Sequence, residues 1–309
     1  MAEDCLNGIG NTGFLKACGS QFKDVAGMII VPTFADDGTE NHIDANEVLD
    51  DAFLAAQINE TDPSKRWYPL ATPFNAFEST RADPTYEELD NGSREFVKQG
   101  ARTVNFQVRG QSTIYLGQIK ACPCEELSFY LIDSAGKLMG IVKDVDSSDL
   151  YPIKMQPSSL YSAYIFATPG SNEHLTVSFQ FALNEEDSLL RVYDDSLVES
   201  GLLALKGLLD VSATFSAVTT TSFTVKLSTL FTIGNKYNAS GLVAADFVLK
   251  GNGTPIVITS VTEVINPDGS GSGTYNFVIP STLTSVVKQL IPTKAGFDFA
   301  KVIAKTFTV

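Results

Sequence analysis

The sequence predicts a mostly-β chain of two domains: an α+β sandwich with one main helix over residues 1–210, and an immunoglobulin-like β-sandwich over 211–309. Three observations carry this. Apolar residues recur at every second position in several short segments, one segment alone has helical spacing, and the charge changes sign along the chain. Residues 1–200 hold 31 acidic and 14 basic side chains, whereas residues 201–309 hold 5 and 8. With 309 residues and 44% hydrophobic content, each part has enough apolar material for its own core. The acidic part is also poorly suited to gripping nucleic acid, because that binding is driven by Lys and Arg displacing phosphate counterions.

The elements follow in order. Met28-Ile29-Ile30-Val31, closed by Pro32, reads as a strand after an irregular N-terminal arm. Asp44 and Glu47 form an N-cap pair, and Val48, Leu49, Ala52, Phe53 and Ala56 follow at helical spacing, so a helix is expected over about Ala45 to Ile58. Asn75 to Gln99 reads as a long connection without regular structure. Val104, Phe106 and Val108 alternate with Thr103, Asn105, Gln107 and Arg109, the pattern of a half-buried strand. Leu127–Ile132 and Leu138–Val142 flank Asp133-Ser134-Ala135-Gly136, a turn sequence, and so predict a hairpin. Leu175, Val177, Phe179 and Phe181 alternate with Thr176, Ser178 and Gln180 in a further strand.

Residues Ser196 to Asp210, SLVESGLLALKGLLD, read as a short broken helix or an apolar linker, and the boundary is placed near Val211. Beyond it, Ser222–Ser228, Asp246–Lys250, Pro255–Val264 and Thr274–Ile279 read as strands, with Ala304–Val309 as the closing one. Short strands at these intervals describe a sandwich of immunoglobulin type, without the paired cysteines and core Trp of antibody domains.

Sites for chemistry are scarce. The acidic stretch Asp36 to Asp44 has oxygen donors for calcium, but its glycine is third rather than sixth in the loop, so a solvated turn is expected. His42 and His174 are the only imidazoles, and no Gly-x-Ser-x-Gly elbow accompanies them. Glu87/Glu88 and Glu185/Glu186 are adjacent pairs whose side chains diverge on a strand, unlike the facing acids of glycosidases. Cys5, Cys18, Cys122 and Cys124 have the donors for a zinc site, but Cys122 and Cys124 are closer in sequence than structural zinc pairs usually are. No enzymatic activity, metal or cofactor is therefore expected. Nothing near the N-terminus joins a basic segment to a sustained apolar run, so neither a signal peptide nor a membrane span is expected, and synthesis is placed in a cytoplasm.

The segment Glu78 to Gly100, ESTRADPTYEELDNGSREFVKQG, holds six acidic and three basic residues and follows the aromatic-rich stretch from Arg66 to Phe77. Aromatic residues and Arg in a long connection are the mix that protein interfaces use for anchors and register. Trp67, Tyr68, Phe74, Phe77, Arg81, Tyr86, Glu87 and Arg94 are the candidate assembly residues.

The run from WYPL through ESTRADPTYEELDNGSREFVKQGARTVNFQVRG, then Leu116-Gly117-Gln118-Ile119 and CEELSFYLIDSAGKLMG, resembles virion tail proteins of phages infecting Bacteroidetes, including crAss-like phages. The resemblance covers roughly residues 1–200, and appended immunoglobulin-like domains are common in phage structural proteins. It implies a structural tail-tube or tail-ring subunit that pairs edge to edge with copies of itself, as a hexamer in a tail tube. Its other partners would be phage tail or head-tail proteins. Rings would stack into a conduit whose acidic wall lets DNA pass without specific binding, and the protein would assemble in the host cytoplasm into the virion. A second reading is a surface binding protein whose C-terminal sandwich carries a glycan or receptor site at its loop ends.

Overall fold

The computed structural model describes residues 22–70, 74–90, 92–110, 116–117, 119, 126–144, 147–193, 201–232, 235–280 and 287–308. The chain is mostly β and divides into two compact units, Met1–Gly207 and Leu208–Val309.

The first unit contains β1 (Val25–Pro32), α1 (Asp51–Ile58), β2 (Tyr68–Pro69), β3 (Phe74–Arg81), β4 (Thr85–Glu88), β5 (Arg94–Lys98), β6 (Arg102–Val108), β7 (Leu127–Asp133), β8 (Leu138–Ile141), β9 (Ile153–Lys154), β10 (Tyr161–Ile165), β11 (His174–Gln180) and β12 (Leu190–Tyr193). One sheet runs β12-β8-β7-β1-β2 with β9 joined to β7, and a second runs β10-β11-β6-β3. The alternation in β6 and β11 turns Val104, Phe106, Val108, Leu175, Val177 and Phe179 inward against Met28, Ile30, Phe129 and Leu131 of the first sheet. Phe129 meets Phe179 across the two layers at 4.8 Å between centroids, and within the second sheet Phe106 stacks on Phe74 at 4.0 Å. Strand β7 is buried along its whole length, so its run LSFYLID is apolar on both faces. Tyr130 on its far side meets Trp67, which in turn packs edge-on against Phe53 of α1.

Helix α1 begins six residues later than the sequence pattern suggested. The carboxylate of Asp44 binds the His42 ring at 2.9 Å instead of capping. Asp50 takes over as N-cap, its Oδ1 accepting the Phe53 N–H at 2.8 Å. The buried Asp133 is satisfied by three backbone N–H groups: those of Ala135 and Lys137 close the β7–β8 turn, and that of Lys23 ties the chain ahead of β1 to it.

The second unit contains β13 (Leu209–Asp210), β14 (Ser212–Ser216), β15 (Ser222–Thr232), β16 (Asn235–Asn238), β17 (Phe247–Gly251), β18 (Thr254–Ile256), β19 (Ser260–Ile265), β20 (Gly271–Val278), β21 (Lys288–Pro292), β22 (Phe297–Asp298), α2 (Ala300–Ile303) and β23 (Thr306–Phe307). Sheet β14-β15-β20-β19, with β16 on β15, packs on sheet β18-β17-β21-β23 around Phe223, Val225, Leu249, Phe277 and Leu290. The segment read as one strand, Pro255–Val264, is two: β18 pairs with β17 in one sheet and β19 with β20 in the other, so the chain crosses between layers at Val257–Thr259. Leu209–Asp210 pairs in parallel with Phe297–Asp298, which draws the start of this unit a few residues ahead of Val211. The closing strand is the short β23, preceded by α2.

Candidate assembly surface

The segment expected to be an unstructured connection is instead β3 followed by a β-hairpin. After β3 the chain turns at Pro84 and runs out as β4 and back as β5, and these two strands form a sheet of their own. All of their residues are exposed. The signal for this was present: Asp90-Asn91-Gly92-Ser93 contains the Asn-Gly dipeptide favoured in tight hairpin turns. Gly92 adopts φ +79°, and its N–H donates to the Leu89 carbonyl at 2.8 Å. At the neck, Ala82 N–H donates to Ala101 O at 2.9 Å, and a Cβ added at Gly100 would collide with the Ala82 carbonyl.

The hairpin base is fastened by charge. Arg81 and Arg102, directly opposite in register, both reach Asp187, at 2.8 and 3.1 Å. The Arg102 guanidinium also lies over the Phe181 ring at 5.3 Å. Along the hairpin, Tyr86 opposes Phe96 with ring centroids 6.1 Å apart, and Glu88 opposes Arg94 with an ion pair at 2.7 Å. Glu87 opposes Glu95, and neither carboxylate has a hydrogen-bond or ion-pair partner among the described residues. Like charges directly across an antiparallel pair destabilise it. Tyr86, Leu89, Phe96 and Val97 are each between 41% and 54% exposed, which leaves four large apolar side chains open on an element outside both cores.

Of the eight residues picked from sequence, Tyr86, Glu87 and Arg94 lie on this hairpin, and Arg81 anchors its base. Trp67 and Phe74 are corrections: both are core residues, 3% and 8% exposed, because Trp67 fills the space between α1 and β7 and Phe74 faces Phe106. Phe77 is half-buried against the same ring, and Tyr68, at the surface, donates its hydroxyl to Pro63 O at 3.0 Å. Sequence reasoning missed Phe96, which the strand register pairs with Tyr86, and the exposed Leu89 and Val97 of the same hairpin.

The outward register of sheet β10-β11-β6-β3 carries Thr103, Asn105, Gln107, Thr176, Ser178, Gln180, Asn75 and Thr80, together with Tyr161, Ala163, Ile165 and His174, and Glu78 is its one carboxylate among the described residues. Edges β10 and β3 have no strand partner on their outer sides among the described residues, and Tyr161 and Ile165 of β10 are 62% and 41% exposed.

Other polar clusters are structural. Glu40 is bridged by Lys143 at 2.8 Å and Lys154 at 2.7 Å. Burial raises its carboxyl, and the two ammonium groups outweigh that and hold it below the usual carboxylate range. In the stretch Asp36 to Asp44, Asp37 is held low by the Thr39 hydroxyl and Lys65, and the His42 ring stacks on Tyr151 at 4.8 Å. Among the described residues no three His, Cys, Asp or Glu side chains are grouped to hold a metal, and the four cysteines lie outside them. No described helix is long and apolar enough to cross a membrane. Compared with protein-family models, with curated proteins and with solved structures, the chain matches none.

Proposed function

We propose that this chain is a self-assembling structural subunit, a phage tail-tube or tail-ring protein whose copies close into a ring around a passage for DNA. The exposed β4–β5 hairpin carries the reading. A lone two-stranded hairpin is at best marginally stable in water, and one that exposes Tyr86, Leu89, Phe96 and Val97 gains most by being covered. Sheet topology supports it. The four strands β10-β11-β6-β3 alternate in direction, so the two edges run oppositely, and β3 of one copy can add to β10 of the next in antiparallel register. Such a contact is heterologous; repeated around an axis it closes a ring and removes the open edges.

In that ring the Thr, Ser, Asn and Gln face is the wall. It offers DNA few cations to displace counterions, Arg109 at the end of β6 among them, and, through Glu78, one carboxylate per copy, so the polyanion slides past rather than sticking. The virion setting rests on the resemblance of residues 1–200 to phage tail proteins. Sedimentation velocity and negative-stain microscopy on the full chain test the proposal. Rings or tubes with an axial hole are expected, and a monomer at every concentration would refute it.

A further inference from the structure

Resting on the ring reading above, we propose that Phe166, just past the end of β10, is the side chain that fastens each contact within the ring, seating in a recess beside β3 of the next copy. The recess, about 440 Å³, is lined by Lys23, Asp24, Val25, Phe74, Ala76 and Phe77. It opens where the start of β1 faces the outer edge of β3, so each of the two sheets supplies one wall. Phe74 and Phe77 form its aromatic part, both stacked on the core ring of Phe106. In the β3 bulge, Ala76 and Phe77 stand opposite the single Phe106, and Ala76 is too small to fill the space.

Strand direction and side-chain alternation select the occupant. The register joins Tyr164 to Leu175, Leu175 to Val108 and Val108 to Phe74, so these four form one row at one end of the sheet, on its inward face. A copy added at β3 in the same orientation continues the row and brings the end of its β10 alongside Phe74. The Phe166 ring lies 5.2 Å from that of Tyr164, two residues before it. An even register shift keeps both on the face of Phe74 and Phe77, and a shift of two sets Phe166 against Phe74, over the recess; an odd shift would turn both toward the wall. Phe166 is 79% exposed, more than any other large apolar side chain among the described residues, and it belongs to neither core. Two β10 edges paired about a two-fold would instead carry it past Tyr161 toward the polar turn at residues 156–159 of the other copy. On the rim, Lys23 and Asp24 carry opposite charges and offset one another, which suits an uncharged occupant.

The test is truncation with conservative rescue. Seating the exposed part of Phe166 removes roughly 120–200 Å² of apolar surface from water. Phe166→Ala is therefore expected to weaken association within the ring by at least about a hundredfold in sedimentation velocity over a concentration series. The unfolding temperature should stay where it is, and Phe166→Leu should recover part of the loss. Association unchanged in Phe166→Ala, with wild type forming rings, overturns the seat and leaves the ring reading in place; a wild type that is monomeric at every concentration overturns both. Photoreactive benzoylphenylalanine at position 166, in mixed isotope-labelled copies, reads the location directly. Crosslinks between copies to peptides containing Lys23, Val25 or Phe77 support the seat. Crosslinks between copies to β10 or residues 156–159, crosslinks to the second unit, or crosslinks within one copy to residues 1–21 overturn it.

Discussion

Replacing Tyr86 and Phe96 together by Ser should weaken the contact that the hairpin makes between copies and leave the subunit folded. The two side chains are 52% and 54% exposed, so about half of each remains to be covered by a neighbour. A fully buried aromatic side chain hides roughly 150–250 Å², which leaves about 75–125 Å² per ring for the interface. At about 25 cal/mol per Å², each ring then contributes about 2–3 kcal/mol and the pair about 4–6 kcal/mol. The cost of bringing two copies together is common to wild type and variant and cancels in the comparison. With 1.4 kcal/mol per tenfold, association should weaken by about a thousandfold or more. Both rings lie outside the cores, so the unfolding temperature should move by only about 1–2 °C, the effect of a surface change near 0.5 kcal/mol in a unit of this size. Sedimentation velocity over a concentration series reads the first quantity and differential scanning fluorimetry the second. An unchanged association midpoint would refute the claim that the hairpin is an interface, and a large fall in unfolding temperature would refute its independence from the core.

Three further outcomes are expected. Phe106→Ala removes the ring shared by Phe74, Phe77 and Phe179 at 1% exposure and should cost about 3–5 kcal/mol in urea unfolding of the full chain. Tyr275→Phe deletes a buried hydroxyl that donates to Ala239 O at 2.8 Å and accepts from Leu242 N–H at 3.2 Å; a loss of about 1–3 kcal/mol follows, read by hydrogen exchange at residues 239–243. Glu40 has a folded-state pKa below its ordinary 4.5, so its pairing with Lys143 and Lys154 stabilises the fold fully above that value and is lost as pH falls through the lowered one. Glu40→Gln should therefore flatten the acid limb of the unfolding-temperature profile below about pH 4.5 and leave Phe129 and its neighbours packed at pH 7.

What the amino-acid order determined by itself was periodic. Val104-Phe106-Val108 and Leu175-Val177-Phe179 point one way because a strand repeats every two residues, and the unbroken run of β7 announces burial on both faces. The charge contrast between residues 1–200 and 201–309 was legible for the same reason, since it needs no geometry. The tertiary structure decided matters of competition and register. Asp44 and Asp50 both have the carboxylate for a cap, and the nearby His42 ring settles which one serves. Trp67 and Tyr86 are both aromatic residues in one polar region, but only the arrangement of α1 and β7 around Trp67 buries one and leaves the other exposed. Glu87 meets Glu95, and Lys23 comes to lie beside Phe74 and Phe77, only once strand pairing is set. A side chain's type carries its chemistry, whereas its neighbours come from pairings far apart along the chain, which local sequence does not encode.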